Sequence, residues 1–184
     1  MEHRKVLTFI KEILPVVFII VSAVISRIIP HPPNFTPIGG IALFSGAYLT
    51  GFRSFLFPLL IMFVSDLFLG FHSTLAYVYI SFVLIVLLGK LLKKKKSFLR
   101  LAATSILSSV LFFIITNFGV WQATNMYPKS TQGLVQSYLM GIPFFKNTLI
   151  GDLFYTFLLF YGVAYAATLA RKMLLDFSKK REYR

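Results

Sequence analysis

The sequence predicts an all-α membrane protein: a polytopic bundle of six transmembrane helices forming a single domain over residues 1–184, with both termini on the same side. Three observations support this fold class. Six long apolar runs follow one another, 57% of the residues are hydrophobic and 14% are charged, and Lys and Arg are concentrated in alternate gaps between the runs. Soluble domains contain about 25% charged residues, so the composition excludes a water-soluble globular domain.

The apolar runs predict spans at residues 12–29, 37–52, 54–71, 74–92, 98–118 and 147–171. The first run approaches the ~20 residues that a bilayer-spanning helix requires, and we expect it to be retained. A signal peptide cleaved near Val21-Ser22-Ala23 is the alternative. Thr36-Pro37 predicts the start of the second helix, since proline in a first turn loses no hydrogen bond. Gly51 and Arg53 mark the turn to the third.

The long gap before the last span, residues 119–146, is apolar and aromatic, unlike a linker. We expect it to lie on the membrane surface or dip into it. A short interfacial helix is predicted there, capped by Ser130 and Thr131 and ended by Gly141 and Pro143. Long loops in compact proteins are often lids or binding elements. An aromatic belt at the headgroup level is the alternative.

The basic residues predict the topology. Sixteen of the nineteen Lys and Arg residues lie near the termini, at Arg53 or within residues 90–100, and the other three are Arg27, Lys129 and Lys146. Because short cytoplasmic loops retain Lys and Arg whereas translocated loops lack them, both termini are predicted to be cytoplasmic, with the chain in the inner (plasma) membrane. The net charge of +13 then reflects topology and attraction to anionic lipid headgroups, and we expect no nucleic-acid partner.

Small residues recur along two predicted helices and could let another helix approach closely. They are Gly39, Ala42, Gly46 and Thr50 in the second span, and Ser22 and Ser26 in the first. Packing within the bundle and docking of a partner protein both fit this spacing. The candidate docking residues are Ser22, Ser26, Ala42 and Gly46.

Polar residues converge at one level on the predicted outer side. Apart from Glu12 at the very start of the first span, Asp66 and Asp152 are the acidic residues within the predicted spans, each about one turn from the outer end of its helix. An ionised Asp at mid-bilayer costs roughly 2.5–3.5 kcal/mol, so each should face the bundle interior, a cavity or a partner. Thr148, Asp152 and Tyr155 share one helical face. The residues predicted to bind a small solute are His31, Asn34, Phe35, Asp66, His72, Asn117, Trp121, Asn147, Asp152 and Tyr155, with Tyr127 as a further apolar wall.

Structural ion pairs are the alternative for the two aspartates. Asp66 could pair with Arg27 or His72, and Asp152 with Lys146. Such pairs need not share a side and a depth, whereas a pocket for a small polar molecule would. The convergence therefore favours a pocket.

Missing motifs narrow the chemistry. The chain has no cysteine, which removes disulfides, thiolate metal sites and cysteine nucleophiles. It also lacks His-Glu-x-x-His, Gly-x-Ser-x-Gly and Gly-x-x-x-x-Gly-Lys-Ser/Thr motifs. We expect no catalytic residue, metal or cofactor, and any ATP hydrolysis must come from other chains.

Four segments form a recognisable pattern: His31 to Phe44 (HPPNFTPIGGIALF), Ser65-Asp66-Leu67, Asn117-Phe118 and Gly141 to Asp152. Together they resemble a bacterial family of uncharacterised six-span membrane proteins. More distantly, the pattern is similar to the S components, the substrate-capture subunits, of energy-coupling factor transporters for vitamins and other micronutrients. This resemblance implies an outer-face pocket closed by the loop between the first two helices, here residues 31–36. It also implies that Asp66, Asn117, Asn147 and Asp152 line or support the pocket, and that a transmembrane subunit and two ATPases are partners.

We therefore expect a protein that captures a small vitamin-like or micronutrient-like solute from outside, as the substrate-specific subunit of an importer. Two alternatives stay open. One is a membrane-embedded enzyme that uses Asp66, His72 and Asp152 for acid-base or metal chemistry. The other is a structural or assembly subunit, which the small-residue stripes would serve equally well.

Overall fold

The computed structural model describes residue 17 and residues 19–182, without the side chains of residues 167, 170, 171 and 173–182. This part of the chain is all-α. Its six helices are α1 (Ile19–Ile28), α2 (Ile38–Tyr48), α3 (Arg53–Leu69), α4 (Leu75–Lys90), α5 (Phe98–Ala123) and α6 (Thr131–Glu182). The number and order of the helices agree with the six apolar runs. The predicted start of the first helix at residue 12 and the basic residues before it lie outside the described residues.

The last helix differs from the prediction. α6 begins at Thr131 rather than at residue 147 and contains Pro143 in its interior, so the prediction of a separate helix ended by Gly141 and Pro143 is wrong. Proline removes a single backbone donor, and continuing the helix satisfies the other peptide groups. Of the two predicted capping residues, Ser130 is confirmed, because the Gly133 N–H donates to Ser130 Oγ at 3.2 Å. Thr131 is instead the first residue of α6.

α5 and α6 form an antiparallel hairpin. The rings of Phe98 and Phe157 stack with centroids 4.8 Å apart, and those of Phe113 and Phe145 lie 4.9 Å apart nearer the connecting turn. In that turn, the Lys129 ammonium group donates to three carbonyl oxygens at the C-terminal end of α5. A helix end leaves these acceptors unsatisfied, so Lys129 fixes the turn to the end of α5.

α2 lies in the centre of the bundle and contacts α3, α4, α5 and α6. A Cβ atom at Gly46 would collide with the backbone of Val86 in α4, and one at Gly89 would collide with the backbone of Leu43 in α2. Because both positions lack a side chain, the two helices meet backbone to backbone.

The small-residue stripe of α2 therefore serves internal packing. Ala42 is fully buried and Gly46 is part of the α2–α4 contact, so the expectation that these two residues dock a partner is corrected. Of the other two candidates, Ser22 is exposed on α1. Ser26 is half-buried, and its hydroxyl donates to the carbonyl of Ala23 at 2.7 Å.

The surface of the described part is strongly apolar. Large apolar side chains are exposed on all six helices, among them Phe68 at 70% and Leu99 at 76%. Among the described residues, two helical segments are long and apolar enough to cross a membrane. They are α5, whose most apolar 18 residues have a mean hydropathy of 2.1, and Thr131–Ala166 of α6, for which this value is 1.5. α1, α2 and α4 are shorter apolar helices. Soluble monomers rarely expose contiguous apolar patches beyond about 300–600 Å².

The α2–α4 contact predicts that a side chain at Gly89 destabilises the fold. Gly89→Val should lower the free energy of unfolding by about 1–3 kcal/mol, the usual cost of overpacking, because the new Cβ meets the backbone at Leu43. Thermal unfolding in detergent measures the loss. Gly162→Val in α6 is the matched control, since nothing lies within 4 Å of a Cβ there. Equal destabilisation by both variants would contradict the packing argument.

Candidate functional site

A cavity of about 550 Å³ lies within the bundle, and residues of all six helices or their adjoining turns line it. It reaches the end of the bundle where the α1–α2, α3–α4 and α5–α6 turns meet, which we call the cavity end. Along α4, the lining residues Thr74, Val78, Phe82 and Ile85 recur every three or four positions, a stripe of about 16 Å. Pockets for small molecules typically enclose about 300–1,000 Å³, so the cavity has the size of such a site.

Five of the ten predicted binding residues line this cavity. They are His31, Asn34, His72, Asn117 and Asp152, and the predicted wall residue Tyr127 joins them. These six residues come from three turns and two helices that are far apart in sequence. The convergence of polar groups at one level is therefore present in the structure, and the role of these residues in binding stays a prediction.

The other five predicted residues do not line the cavity. They are Phe35, Asp66, Trp121, Asn147 and Tyr155. The Phe35 ring lies 6.2 Å from that of Phe154 and 5.5 Å from that of Tyr155, where the chain entering α2 packs against α6. The Trp121 indole N–H donates to the Pro128 carbonyl at 3.0 Å, which holds the ring against the α5–α6 turn. Local packing thus turns these aromatic rings away from the cavity.

Asp66 belongs to a buried ion pair. It is 1% exposed, its Oδ1 lies 3.1 Å from Arg27 Nη1, and its Oδ2 accepts a hydrogen bond from the Tyr79 hydroxyl at 2.9 Å. The pairing with Arg27 is one that the sequence left open. The pairing with His72 does not form, because His72 Nδ1 lies 2.8 Å from Thr74 Oγ1 instead. Both oxygens of Asp66 are therefore engaged by the protein, in a contact that joins α1, α3 and α4.

Asp152 has a different environment, although it is also buried, with 5% exposed. It lines the cavity, and its Oδ2 accepts a hydrogen bond from Ser109 Oγ at 2.7 Å. Its Oδ1 lies against Gly39, where a Cβ atom would collide with it. Gly39 is in the first turn of α2, and the helix dipole favours a negative charge there. Among the described residues, no cation forms an ion pair with Asp152.

The sequence left open a pairing of Asp152 with Lys146, and the structure does not form it. Lys146 is exposed on α6. Six residues correspond to about 600° of helix rotation, which directs the two side chains to different sides of α6.

The rest of the lining combines aromatic rings with a few polar groups. The rings are Phe82, Phe112, Phe113, Phe144 and Phe145. The hydroxyl groups of Thr116 and Thr148 donate within their own helices at 2.8 and 2.9 Å, which leaves lone pairs able to accept. Asn117 lies against Gly141, where a side chain on α6 would displace it. Mostly apolar walls with a small number of placed polar groups are typical of small-molecule sites.

Sequence reasoning missed two parts of this site. Ser109, the hydrogen-bond partner of Asp152, belongs to a cluster of Ser105, Ser108 and Ser109 in a mostly apolar helix, and this cluster was the available signal. The stripe on α4 was visible as the spacing of Thr74, Val78, Phe82 and Ile85, but core packing has the same period.

The residues needed by the enzyme alternative do not meet in the cavity. Asp152 and His72 line it, whereas Asp66 is engaged with Arg27. Within the described part of the chain, no group of three or more His, Cys, Asp or Glu side chains is arranged to hold a metal ion.

Residues 8–174 match the family described as "Family of unknown function (DUF6580)". The chain belongs to this family. No curated protein and no solved structure matches it, so the likeness of this DUF6580 protein to S components stays a prediction.

In this DUF6580 protein, the Arg27–Asp66 pair predicts strongly coupled variants. Removing one partner leaves the other charge buried and uncompensated, so Arg27→Met and Asp66→Asn should each lower the free energy of unfolding by about 3–5 kcal/mol. The double variant should lose clearly less than the sum. Tyr79→Phe, which removes one hydrogen bond to a charged group, should cost about 1.5–3 kcal/mol. Chemical denaturation in detergent measures all four variants, and additive losses in the double variant would contradict a direct pair.

Proposed function

We propose that this chain is a membrane-embedded solute-capture protein. It lies in the inner (plasma) membrane with both termini cytoplasmic, takes up a small solute from outside in the cavity, and acts as the substrate-specific subunit of an importer of the energy-coupling factor type. The observation that carries the proposal is the cavity of about 550 Å³ with the Asp152 carboxylate in its wall. A buried carboxylate is costly unless it is paired or functional, and Asp152 has no cationic partner among the described residues.

The surface supports the membrane part of the proposal. Its exposed apolar side chains suit lipid, and α5 and Thr131–Ala166 of α6 have the length to cross the hydrocarbon core. At the end opposite the cavity, the Lys90 ammonium group lies 4.4 Å from the Phe55 ring centroid and that of Lys96 lies 4.7 Å from the Tyr48 centroid. Lysines and aromatic rings together are typical of the headgroup level. The clustered lysines favour the cytoplasm for that end, which directs the cavity end outward.

The turn between α1 and α2 is placed to control access to the cavity. His31 and Asn34 in this turn line the cavity, and Asn34 is exposed. The turn is compact, since the Phe35 N–H donates to the Pro32 carbonyl at 3.0 Å and Asn34 adopts a left-handed φ of 66°, which asparagine tolerates better than most residues. In the proposed function this turn is the gate.

Coupling to ATP requires partners, because the sequence contains no nucleotide-binding loop. We propose a transmembrane subunit with two ATPases as those partners. Since Ala42 and Gly46 are internal, docking would use the outward face of α1, where Ser22 is exposed.

The proposed topology predicts which positions react from outside the cell. The chain has no cysteine, so single cysteines can be introduced without background. Ser73 in the α3–α4 turn and Lys95 in the α4–α5 turn are both exposed. A membrane-impermeant maleimide should label Ser73→Cys in intact cells, and Lys95→Cys only after permeabilisation. The opposite pattern would contradict the orientation, and labelling of both in intact cells would contradict a span between them.

Filling the cavity should abolish solute retention. Val78 lines the cavity from α4, and Ile80, two residues along the same helix, is 53% exposed on the outside. Val78→Trp places an indole in the cavity, whereas Ile80→Trp adds the same volume to the surface. Native mass spectrometry of gently solubilised protein from its own host should detect a retained small molecule in the unaltered chain and in Ile80→Trp, but not in Val78→Trp.

The same spectra test the importer. A co-purifying transmembrane subunit with two ATPases is expected. Equal retention by the two tryptophan variants, or no retained molecule in the unaltered protein, would contradict capture in this cavity. A retained solute in a chain that purifies alone would contradict the role as an importer subunit.

A further inference from the structure

We propose that the captured solute carries a positively charged nitrogen, a protonated amine on an aromatic or apolar body, and that Asp152 is the residue that binds this amine. The proposal rests on the proposed function, because it names the class of solute that the same cavity would take. It follows from the charges of the lining, the hydrogen-bonding capacity of Asp152 and the aromatic walls.

The fixed charges of the cavity are unbalanced. Arg27 lines the cavity, but its charge is balanced by Asp66, 3.1 Å away. Two histidines line the cavity. His72 is exposed and can be solvated by water, and the Nδ1 atom of His31 lies 2.7 Å from a backbone carbonyl oxygen. No other Lys, Arg, Asp or Glu among the described residues lines the cavity. When it is ionised, Asp152 is therefore the one Lys, Arg, Asp or Glu residue of the lining without a counter-charge from the described residues. A cationic solute would supply that counter-charge.

Burial disfavours a charge on Asp152, but two of its neighbours stabilise the ionised form. Ser109 donates a hydrogen bond to Oδ2 at 2.7 Å, and Oδ1 lies at the first turn of α2 beside Gly39. A hydrogen-bond donor and a helix N-terminus both stabilise a negative charge. An ionised carboxylate can only accept hydrogen bonds, so the group that meets it must be a donor. A charged donor forms the stronger bond, which favours an ammonium group over a hydroxyl or an amide.

The aromatic walls of the cavity also favour a cationic solute with an apolar body. Five phenylalanine rings line the cavity, and two of them, Phe82 and Phe112, lie with centroids 5.3 Å apart. Ring faces attract cations and provide apolar contact for the body of a solute. An anionic solute would be repelled by an ionised Asp152, and a neutral one would provide no counter-charge for it.

Three indoles that share a body and differ in charge test the proposal: tryptamine (cationic), tryptophol (neutral) and indole-3-propionate (anionic). Their affinities for the purified full chain in lipid nanodiscs are measured by calorimetry near neutral pH. Tryptamine should bind at least about tenfold more tightly than tryptophol, and indole-3-propionate should bind most weakly. In Asp152→Asn, tryptamine should lose this advantage. Lys146→Gln, which changes a charge on the same helix outside the cavity, should keep it.

Tryptophol binding as tightly as tryptamine, or no binding of tryptamine, would overturn the proposal. A preference for tryptamine that persists in Asp152→Asn would overturn the role of Asp152. The order of affinities in the unaltered protein decides the solute class even where Asp152→Asn does not fold. Native mass spectrometry distinguishes failure of the amine proposal from failure of the proposed function. A retained solute that is neutral or anionic refutes the amine while capture stands. Equal retention by Val78→Trp and Ile80→Trp refutes capture itself.

Discussion

The close approach of α2 to its neighbours is the constraint on which the rest of the structure depends. α2 has only 11 residues, and it can occupy the centre of the bundle because its packing face has little side-chain volume. Gly46 meets the backbone of α4, and a Cβ atom at Gly40 would lie 2.9 Å from the Thr156 nitrogen in α6. The neighbouring Gly39 leaves the space in which the Asp152 carboxylate lies. The Gly39-Gly40 pair thus packs α2 against α6 and also positions the acid in the cavity wall.

Small hydroxyl residues extend this close packing to α5 and α6. Ser105 and Thr156 are fully buried between the two helices, with their side-chain oxygens 3.5 Å apart. Ser109 donates to Asp152 and lies 3.1 Å from the Ser105 carbonyl. Such residues allow helices to approach closely, and they satisfy their own polar groups within the protein. Along one face of α6, Thr148 and Asp152 line the cavity, whereas Thr156, one turn further, is fully buried by the neighbouring helices. Asp152 therefore marks the boundary between the cavity and the closed packing.

The helices were predictable from the sequence, because each apolar run is bounded by Gly, Pro or Lys residues that local rules recognise. The start of α6 was not, since Gly141 and Pro143 are stop signals locally, whereas the helix continues in the fold with Asn117 of α5 packed against Gly141. The level of the site was predictable from where polar residues occur in each helix. Its exact lining was not, because packing decides which face points inward: Thr148 faces the cavity, but Tyr155 packs against Phe35. With 21 phenylalanines in the chain, the sequence could not indicate which five would line a cavity.

The two aspartates show how packing separates residues that the sequence presents as equivalent. Each lies in an apolar helix near the same end of the bundle. Asp66 meets Arg27 and Tyr79, and its oxygens are both occupied. Asp152 meets Ser109 and the backbone at Gly39, which stabilise a negative charge without neutralising it. Losing a partner of Asp66 would leave a buried charge uncompensated and weaken the fold. An ionised Asp152 is not compensated by any cation among the described residues, so a cation that enters the cavity would relieve the cost of burying this carboxylate. A fold that tolerates this cost holds a carboxylate in place for binding, and that is why we assign the site to Asp152 rather than to Asp66.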